Sequence, residues 1–270
     1  MAMELAQQFN GEIICADSRT IYRGFDIGTA KPTKQDQQLV SHHLLDICEP
    51  GEEFSVARFK QLAEEAMQDI WKRGRVAFLV GGSGMYIDAV LFNYSFRTGE
   101  VHDSEDYSQL SLEELQRLVQ QRYPQGAESI DLKNRLRLEQ ILERGLAHDS
   151  DRRQLAYDCL ILGLNPDRLL LKQKIVDRVD VMLNNGFIQE VKELLKRYGR
   201  DCPQLKIIGY KHAVSYLEGG ISLEEMRELF AHDDLALAKR QATWFKRNQA
   251  INWLHNMSEA AVLVDNYLSR

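Results

Sequence analysis

The sequence predicts an α/β protein with a parallel sheet, a helical insertion and a mostly helical C-terminal part. Up to residue 92, short apolar runs alternate with helical patterns, and strands joined by helices lie parallel in one sheet. Residues 93–156 are polar and then helical, and the pattern beyond Pro166 is helical almost throughout. We therefore expect an α/β core from residues 1–92 and 157–256, a helical insertion at 93–156 and a tail helix at 257–270.

The first part of the chain carries two helical patterns and three strand patterns. Residues 1–9 form a helical pattern with no capping residue before it. A second, amphipathic helix follows Ser55, which is a suitable N-cap, and Gly74 ends this helix. The apolar run after Gly74 is the clearest candidate for a buried strand. The three predicted strands are Glu12–Cys15, His42–Ile47 and Val76–Val80.

The later elements are mainly helices. Ser111 and Glu114 have the spacing of a capping box, which predicts the start of a helix, and a further helix is expected from Gly126 to Leu142. The apolar run at residues 158–164 returns to the sheet, and a helix follows over residues 167–183. Glycine-containing breaks divide the rest of the helical pattern at Gly186, Gly199–Pro203 and Gly219–Gly220.

The composition is that of an ordinary globular protein. Apolar residues make up 44% and charged residues 27% of the chain, and no apolar run approaches the roughly 18 residues of a membrane span. The 4 cysteines are scattered without a C-x-x-C pair, which favours a reducing cytoplasm over disulfides or a cysteine-held metal. The net charge of −6 gives no general attraction to nucleic acid, so RNA binding would depend on local basic patches.

Two loops that follow predicted strands carry the residues of greatest chemical interest. Asp17 and Ser18 begin a loop that closes at Lys31, and they lie at the strand end where open α/β folds bind ligands. A carboxylate such as that of Asp17 can orient an amine and accept its proton; the alternative is that Asp17 only caps the next turn. Residues 81–84 are glycine-rich and permit close approach of an anionic ligand, although a tight strand–helix turn has the same pattern.

Two helical segments carry clustered basic residues. Lys174 and Arg178 are four residues apart and share a helix face, where two cations could hold a diphosphate leaving group. Pairing with acids on the same helix is the alternative. Between residues 238 and 247, basic residues are interleaved with two aromatic residues. That pattern is typical of binding to RNA phosphates, and also of a helix whose aromatic residues are buried.

Together these segments resemble the tRNA dimethylallyltransferases, also called tRNA isopentenyltransferases or the IPP transferase family. Residues 17–32 meet every fixed position of the family pattern D-S-x-x-x-Y-x-G-x-D-I-G-T-A-K-P, and the resemblance continues at intervals to about Trp253. Four further segments are similar to family patterns, namely residues 81–86 to G-G-T-G-L-Y, 133–143 to K-N-P-R-R-L-x-R-A-L-E, 171–183 to L-x-x-R-I-x-x-R-V-x-x-M-L and 238–246 to A-K-R-Q-x-T-W-F-R. The chain departs from these patterns, among other places, at Thr20, Ser83, Arg135, Gln140 and Lys174.

The resemblance implies a role for each matched residue. It makes Asp17 the catalytic aspartate and Arg178 a catalytic contact of the diphosphate. The implied substrate-binding residues are Ser18, Thr20, Thr29, Lys31, Gly81, Gly82, Ser83, Gly84, Tyr86 and Lys174. The implied tRNA-binding residues are Arg137, Lys239, Arg240, Gln241, Trp244, Lys246 and Arg247. No residue is assigned as a metal ligand.

The resemblance also implies a P-loop NTPase-like fold, in which a strand, a Walker-A loop and a helix come first. No G-x-x-x-x-G-K-[ST] run occurs in the 270 residues, and we expect the sequence to begin inside the helix that follows this loop, without the first strand. Because such a loop holds phosphates and Mg²⁺, we expect this polypeptide to be a slow catalyst. Truncation and natural loss of the loop are both open explanations.

The implied reaction moves a dimethylallyl group from dimethylallyl diphosphate to N6 of the adenosine directly 3′ of the tRNA anticodon. The expected partners are a tRNA anticodon stem-loop and dimethylallyl diphosphate, with Mg²⁺ bound to the diphosphate. We expect a cytoplasmic monomer without membrane contact. Two other functions stay open: a non-catalytic tRNA-binding homologue, and an enzyme that prenylates free adenine nucleotides. A generic nucleotide kinase would need the loop that this sequence does not contain.

Overall fold

The computed structural model describes residues 1–94, 96, 107–124, 132–144, 154–254 and 256–270. The chain forms two compact units. The first unit combines Met1–Leu91 with Leu155–Arg270, and the second is Phe92–Gln154.

The described residues of the first unit contain two small parallel sheets. In the larger sheet, β1 (Gly11–Cys15) lies between β2 (His42–His43) and β3 (Val76–Val80). In the smaller sheet, β4 (Ile161–Leu164) pairs with β5 (Ile251–Leu254). Every pairing in both sheets is parallel, which confirms the predicted α/β class.

Helices join the strands and dominate the chain after β4. They begin where local capping predicts: Ser55 accepts a hydrogen bond from the Arg58 backbone N–H at 3.1 Å, and Asp167 accepts one from the Leu169 N–H at 2.8 Å. The described helices are α1 (Ala2–Gln8), α2 (Lys34–Leu39), α3 (Val56–Lys72), α4 (Gly84–Leu91), α5 (Leu112–Arg122), α6 (Arg135–Arg144), α7 (Arg168–Asn184), α8 (Phe187–Tyr198), α9 (Tyr210–Leu217), α10 (Leu223–Phe245) and α11 (Met257–Leu268).

Four predictions about strands need correction. The run at residues 158–164, expected to return to the sheet of β1, contributes only β4, which pairs with β5 in a separate sheet. The strand expected from His42 ends after two residues, because Leu44 and Asp46 adopt positive φ angles of 66° and 55° that no strand accommodates. β3 was expected to be buried, yet all its residues are half-buried, because among the described residues it pairs with β1 alone. β5 lies where the pattern predicts helix. Its extended conformation depends on pairing with β4, whose residues lie 90 positions before their partners in β5.

The loop after β1 is fixed to the helical part of the first unit. Phe25, from this loop, is fully buried in the core formed by α7, α8, α9 and α10. Its ring centroid lies 4.7 Å from that of Tyr210. On the other side, Ile14 of β1 and Ala16 pack with Phe59 and Tyr86 in a second core. The strand and the loop that carry Asp17 are therefore held from two directions.

A buried ionic cluster ties β1 to its neighbours. The Glu12 side chain is 2% exposed and pairs with the guanidinium groups of Arg73 and Arg75 and with the imidazole of His43. These partners, chiefly Arg73, hold the pKa of Glu12 down at about 2. Because the pKa of Glu12 is lower in the folded protein than in the unfolded chain, ionised Glu12 stabilises the fold. This stabilisation is fully present above about pH 4.3, the ordinary pKa of glutamate, and is lost as the pH falls towards 2.

We expect Glu12→Gln to lower the free energy of unfolding by about 2 kcal/mol at pH 7, because it removes the charge that accepts hydrogen bonds from the partly exposed guanidinium groups of Arg73 and Arg75. Urea unfolding at several pH values measures the free energy of unfolding. The difference in this free energy between variant and parent should narrow as the pH falls from 4 towards 2. Glu65→Gln is a matched control on exposed surface, where a change within about 0.5 kcal/mol is expected. A gap that does not depend on pH would contradict the charge-based explanation.

The second unit is helical in the residues described. Ser111 and Glu114 form the predicted capping box at the start of α5, with the Ser111 N–H donating to Glu114 Oε2 at 2.7 Å. Leu115, Val119 and Leu138 are fully buried between α5 and α6. The helix expected from Gly126 is described only as α6, and residues 125–131 lie outside the described residues. None of the described helices in either unit is long and apolar enough to cross a membrane.

Candidate active site

Asp17 lies just beyond the carboxyl end of β1, the middle strand of its sheet. Its Oδ1 accepts hydrogen bonds from the backbone N–H groups of Arg19 at 2.7 Å and Thr20 at 3.3 Å. No residue in the described part of the chain hydrogen-bonds to Oδ2. Oδ1 thus caps the turn, which is the alternative role that the sequence indicated for Asp17. Oδ2 is available to a ligand.

A cavity of about 220 Å³ lies beside Asp17. Four of its lining residues were predicted from the sequence, namely Asp17, Thr29, Arg178 and Gln241. Two charged lining residues were not predicted, namely Arg19 and Asp234. The remaining lining is mainly apolar and includes Leu171, Ile175, Met182 and Leu237. The cavity therefore combines two carboxylates and two guanidinium groups with an apolar wall.

Arg178 is held by Asp234 across two helices. The Arg178 Nη2 on α7 donates to the Asp234 Oδ2 on α10 at 2.6 Å, and the side chain of Asp234 is 5% exposed whereas that of Arg178 is 47% exposed. Asp234 shares a helix face with the buried Phe230 and with Ala238. A charged residue in an apolar stripe was the sequence signal that could have identified it.

A larger cavity of about 460 Å³ shares Ala30, Arg178 and Met182 with the first. Lys31 lines it, but its ammonium is 3% exposed and is held within the protein. Its Nζ donates to Asp26 Oδ1 and Asp46 Oδ1, each at 2.6 Å, and to the Tyr22 carbonyl at 2.8 Å. All three N–H donors of Lys31 are thus used, so in this structure Lys31 holds the loop and has no donor left for a substrate.

Glu190 holds the other side of the same loop. Its carboxylate accepts hydrogen bonds from three consecutive backbone N–H groups, those of Asp26 (3.1 Å), Ile27 (2.7 Å) and Gly28 (3.2 Å). It also accepts from the Tyr210 hydroxyl at 2.6 Å. Burial, and then the Glu190 charge, raise the pKa of Tyr210 well above its usual range, so this hydroxyl stays a donor. No sequence pattern indicates this contact, because Glu190 lies more than 160 residues from the loop amides that it binds.

We expect Glu190→Gln to loosen this loop while the rest of the fold stays intact. The glutamine amide presents one acceptor oxygen, and its own N–H groups face the N–H donors of the loop. The lost hydrogen bonds should destabilise the closed loop by about 1–3 kcal/mol. The amides of residues 26–28 should then exchange with solvent about 10-fold faster or more, which hydrogen-exchange NMR measures. Glu193→Gln, on the exposed face of the same helix, is the control. Equal exchange in the two variants would contradict the role of Glu190.

The glycine-rich loop before α4 is packed too closely for larger residues. A Cβ at Gly81 would lie 2.0 Å from the Ala16 carbonyl oxygen, one at Gly82 would lie 2.2 Å from Gln241 Nε2, and one at Gly84 would lie 2.3 Å from Trp244 Cδ1. Ser83 Oγ accepts a hydrogen bond from the Ser18 N–H at 3.0 Å. The structure therefore brings this loop together with the Asp17 loop and with α10.

Gln241 and Trp244 contact this loop region directly. Gln241 Nε2 donates to the Gly82 carbonyl at 3.1 Å, and Trp244 Nε1 donates to Asp88 Oδ2 at 2.8 Å. The guanidinium of Arg247 stacks 4.2 Å from the Trp244 ring centroid. Trp244 and Phe245 are half-buried, while the basic residues Lys239, Arg240, Lys246 and Arg247 are exposed. RNA binding by these basic residues stays a prediction.

Four further predicted site residues have other surroundings. Thr20 is buried, its hydroxyl has no hydrogen-bond partner among the described residues, and it does not line either cavity. Tyr86 is buried and stacks on Phe59 with centroids 4.1 Å apart, and burial raises the pKa of Tyr86 to about 12. Lys174 is exposed on α7, one helical turn before Arg178. Arg137 is exposed on α6 of the second unit.

The residues that the structure describes do not form a protein-held metal site. Among them, no group of three or more His, Cys, Asp or Glu side chains could hold a metal ion. The donor set present therefore does not fit Mg²⁺ bound by the protein alone, and we derive no catalytic step through the metal.

The chain is similar to known proteins over almost its whole length. The family model described as IPP transferase matches residues 20–248. The tRNA dimethylallyltransferase of Anoxybacillus flavithermus is 38% identical over 265 residues, which are 94% of this chain and 85% of that protein. The tRNA dimethylallyltransferase of an Exiguobacterium species is 38% identical over 254 residues, which are 90% of this chain and 82% of that protein.

Solved structures give the same result. The full-length tRNA isopentenylpyrophosphate transferase of Bacillus halodurans is 35% identical, with a TM-score of 0.74 over 99% of this chain and 90% of that one. A eukaryotic dimethylallyltransferase, whose structures show it acting on tRNA, is 26% identical, with a TM-score of 0.83 over 99% of this chain and 75% of that one.

Proposed function

The chain belongs to the IPP transferase family, and we propose that it transfers a dimethylallyl group from dimethylallyl diphosphate to N6 of the adenosine directly 3′ of the tRNA anticodon. The P-loop NTPase-like fold shared with the solved tRNA isopentenyltransferases agrees with this assignment. The observation that carries the proposal is that Asp17, with one unengaged carboxylate oxygen, and Arg178 line the same cavity.

In the proposed reaction Asp17 is the general base. The N6 nitrogen of adenosine forms a bond to C1 of the dimethylallyl group, while the bond from C1 to the diphosphate oxygen breaks. Asp17 Oδ2 orients the amine and takes the proton that the nitrogen loses. The hydrogen bonds at Oδ1 keep the carboxylate in place without using the oxygen that receives the proton.

Arg178 binds and stabilises the diphosphate leaving group in this proposal. Negative charge grows on the diphosphate as the carbon–oxygen bond breaks, and a guanidinium can stabilise two of its oxygens at once. Lys174, exposed one helical turn earlier, supplies a second cation. The apolar wall of the cavity suits the hydrocarbon part of the donor, and Thr29 lines the same cavity. Ser18 and residues 81–84 line neither cavity, and their role in substrate binding stays a prediction.

The surface for tRNA is proposed to be basic and partly aromatic. Lys239, Arg240, Lys246 and Arg247 are exposed near Gly82 and Gly84, which contact the same helix. Such residues bind phosphates regardless of sequence and make the affinity depend on salt. A stacked base must leave the RNA helix to reach Asp17, as in other enzymes that modify a base. Arg137, in the second unit, is proposed as a further RNA contact.

Three finer points belong to the same proposal. Mg²⁺ would be held by the diphosphate and would neutralise part of its charge. The protein is a cytoplasmic monomer. Turnover by these 270 residues is slow, because they contain no G-x-x-x-x-G-K-[ST] run to hold the diphosphate. The last point is tested by joining such a strand–loop segment to the chain and comparing the two rates.

The test of the function is prenyl transfer from labelled dimethylallyl diphosphate to an anticodon stem-loop RNA, under single-turnover conditions so that slow catalysis stays measurable. The matched control is a stem-loop with purine riboside in place of the target adenosine, which replaces the N6 amino group with hydrogen and leaves the rest of the base unchanged. We expect label in the first RNA and none in the second. Label in free adenosine monophosphate but not in RNA would favour the nucleotide-modifying alternative, and RNA binding without transfer would favour the non-catalytic binder.

A further inference from the structure

Arg19 is a charged residue of the cavity that neither the family pattern nor the proposed reaction uses. It occupies a position that the pattern D-S-x-x-x-Y leaves open, two residues after Asp17. Its backbone N–H donates to Asp17 Oδ1, while its half-buried side chain lines the 220 Å³ cavity. Its position is therefore set by the residue proposed as the base.

The guanidinium of Arg19 has no partner within the described part of the protein. No carboxylate there lies within 4.0 Å of it, and it makes no side-chain hydrogen bond. The other guanidinium of the cavity, that of Arg178, pairs with Asp234 at 2.6 Å. The charge of Arg178 is thus partly balanced inside the protein, whereas that of Arg19 is not.

An unpaired guanidinium at the wall of a cavity favours an anion. Arginine presents its N–H donors in a planar fork that matches two oxygens of a phosphate group. Of the two carboxylates that line the same cavity, that of Asp234 is paired with Arg178, and among the described residues that of Asp17 forms no ion pair with the Arg19 guanidinium. A phosphate is the anion that both substrates of the proposed reaction carry.

We propose that Arg19 binds a phosphate group in this cavity, an inference that rests on the proposed function for the identity of the ligands. Two sources have this chemistry: the diphosphate of the prenyl donor and the phosphodiester next to the flipped adenosine. Binding of the diphosphate would make Arg19 a partner of Arg178 in stabilising the leaving group. Binding of the phosphodiester would make Arg19 a residue that positions the target nucleotide.

The experiment measures binding rather than transfer, with Arg19→Ala and Arg19→Lys in this chain. Inorganic pyrophosphate is titrated by calorimetry, and an anticodon stem-loop RNA is titrated at several KCl concentrations. Arg200→Ala is the control, since it removes the same charge from an exposed pair with Glu218. If the diphosphate is the ligand, Arg19→Ala weakens pyrophosphate binding about 10-fold or more. If the phosphodiester is the ligand, the variant weakens RNA binding and lowers the slope of log K against log salt by about 1.

Arg19→Lys should keep part of the affinity in either case, because the charge remains while the planar fork is lost. Unchanged binding of both probes by Arg19→Ala, or equal losses in Arg19→Ala and Arg200→Ala, would overturn the proposal. A parent chain that binds neither probe would overturn it as well. Binding that behaves as expected in a chain without prenyl transfer contradicts the proposed function and leaves the role of Arg19 standing.

Discussion

We expect Asp17→Asn to transfer the prenyl group about 1,000-fold more slowly than the parent chain, with its fold unchanged. Asparagine keeps an oxygen that can accept from the N–H groups of Arg19 and Thr20, so the turn after β1 stays capped. The second oxygen becomes an amide nitrogen, which cannot take a proton from the adenosine amine. The single-turnover rate with saturating RNA and donor measures the loss, and thermal unfolding reports on the fold.

Comparing Asp17→Ala with Asp17→Asn separates the two roles of this carboxylate, as a turn cap and as a general base. It removes the cap as well as the base, so we expect the same loss of rate together with a loss of about 1 kcal/mol in the free energy of unfolding. Asp17→Asn should show the first loss without the second. A rate for Asp17→Asn within threefold of the parent would remove Asp17 from the proposed role of base and leave it a turn residue.

Asp17 illustrates what the sequence could predict. An apolar run of strand length predicted β1, and Asp17 follows it directly, so position and residue type together identified the carboxylate. The N-caps Ser55 and Ser111 are similar cases, because the residue and its hydrogen-bond partner are three positions apart. Features of this kind depend on neighbours within one turn, and local patterns describe such neighbours well.

Asp234, Glu190 and β5 could not be predicted in this way. Asp234 pairs with Arg178, 56 residues away, and Glu190 binds loop amides more than 160 residues away. Glu190 has the local pattern of a solvated surface residue, and the apolar stripe around Asp234 indicates a buried carboxylate without identifying Arg178 as its partner. β5 is short, and only its pairing with β4 makes it a strand. These features are fixed by how the elements pack, which the local pattern does not contain.

The second large effect is expected at Arg178. Arg178→Ala should lower the single-turnover rate at least about 100-fold, because it removes a donor aimed at the charge that develops on the leaving diphosphate. The same change leaves the carboxylate of Asp234, which is 5% exposed, without its cation. Loss of one partner of such a pair costs about 3 kcal/mol of stability, so the single variant alone cannot separate catalysis from folding.

The double variant Arg178→Ala with Asp234→Asn separates the two effects. Removing both charges should bring the free energy of unfolding back to within about 1 kcal/mol of the parent, since no unpaired buried charge remains. The rate should stay about 100-fold low, because the donor for the diphosphate is still missing. Asp234→Asn alone keeps Arg178 but holds it less firmly, so we expect a smaller loss of rate, about 10-fold. Recovery of the rate together with the stability in the double variant would mean that Arg178 matters only for packing. The leaving group would then need another cation, and Arg19 is the other arginine that lines this cavity.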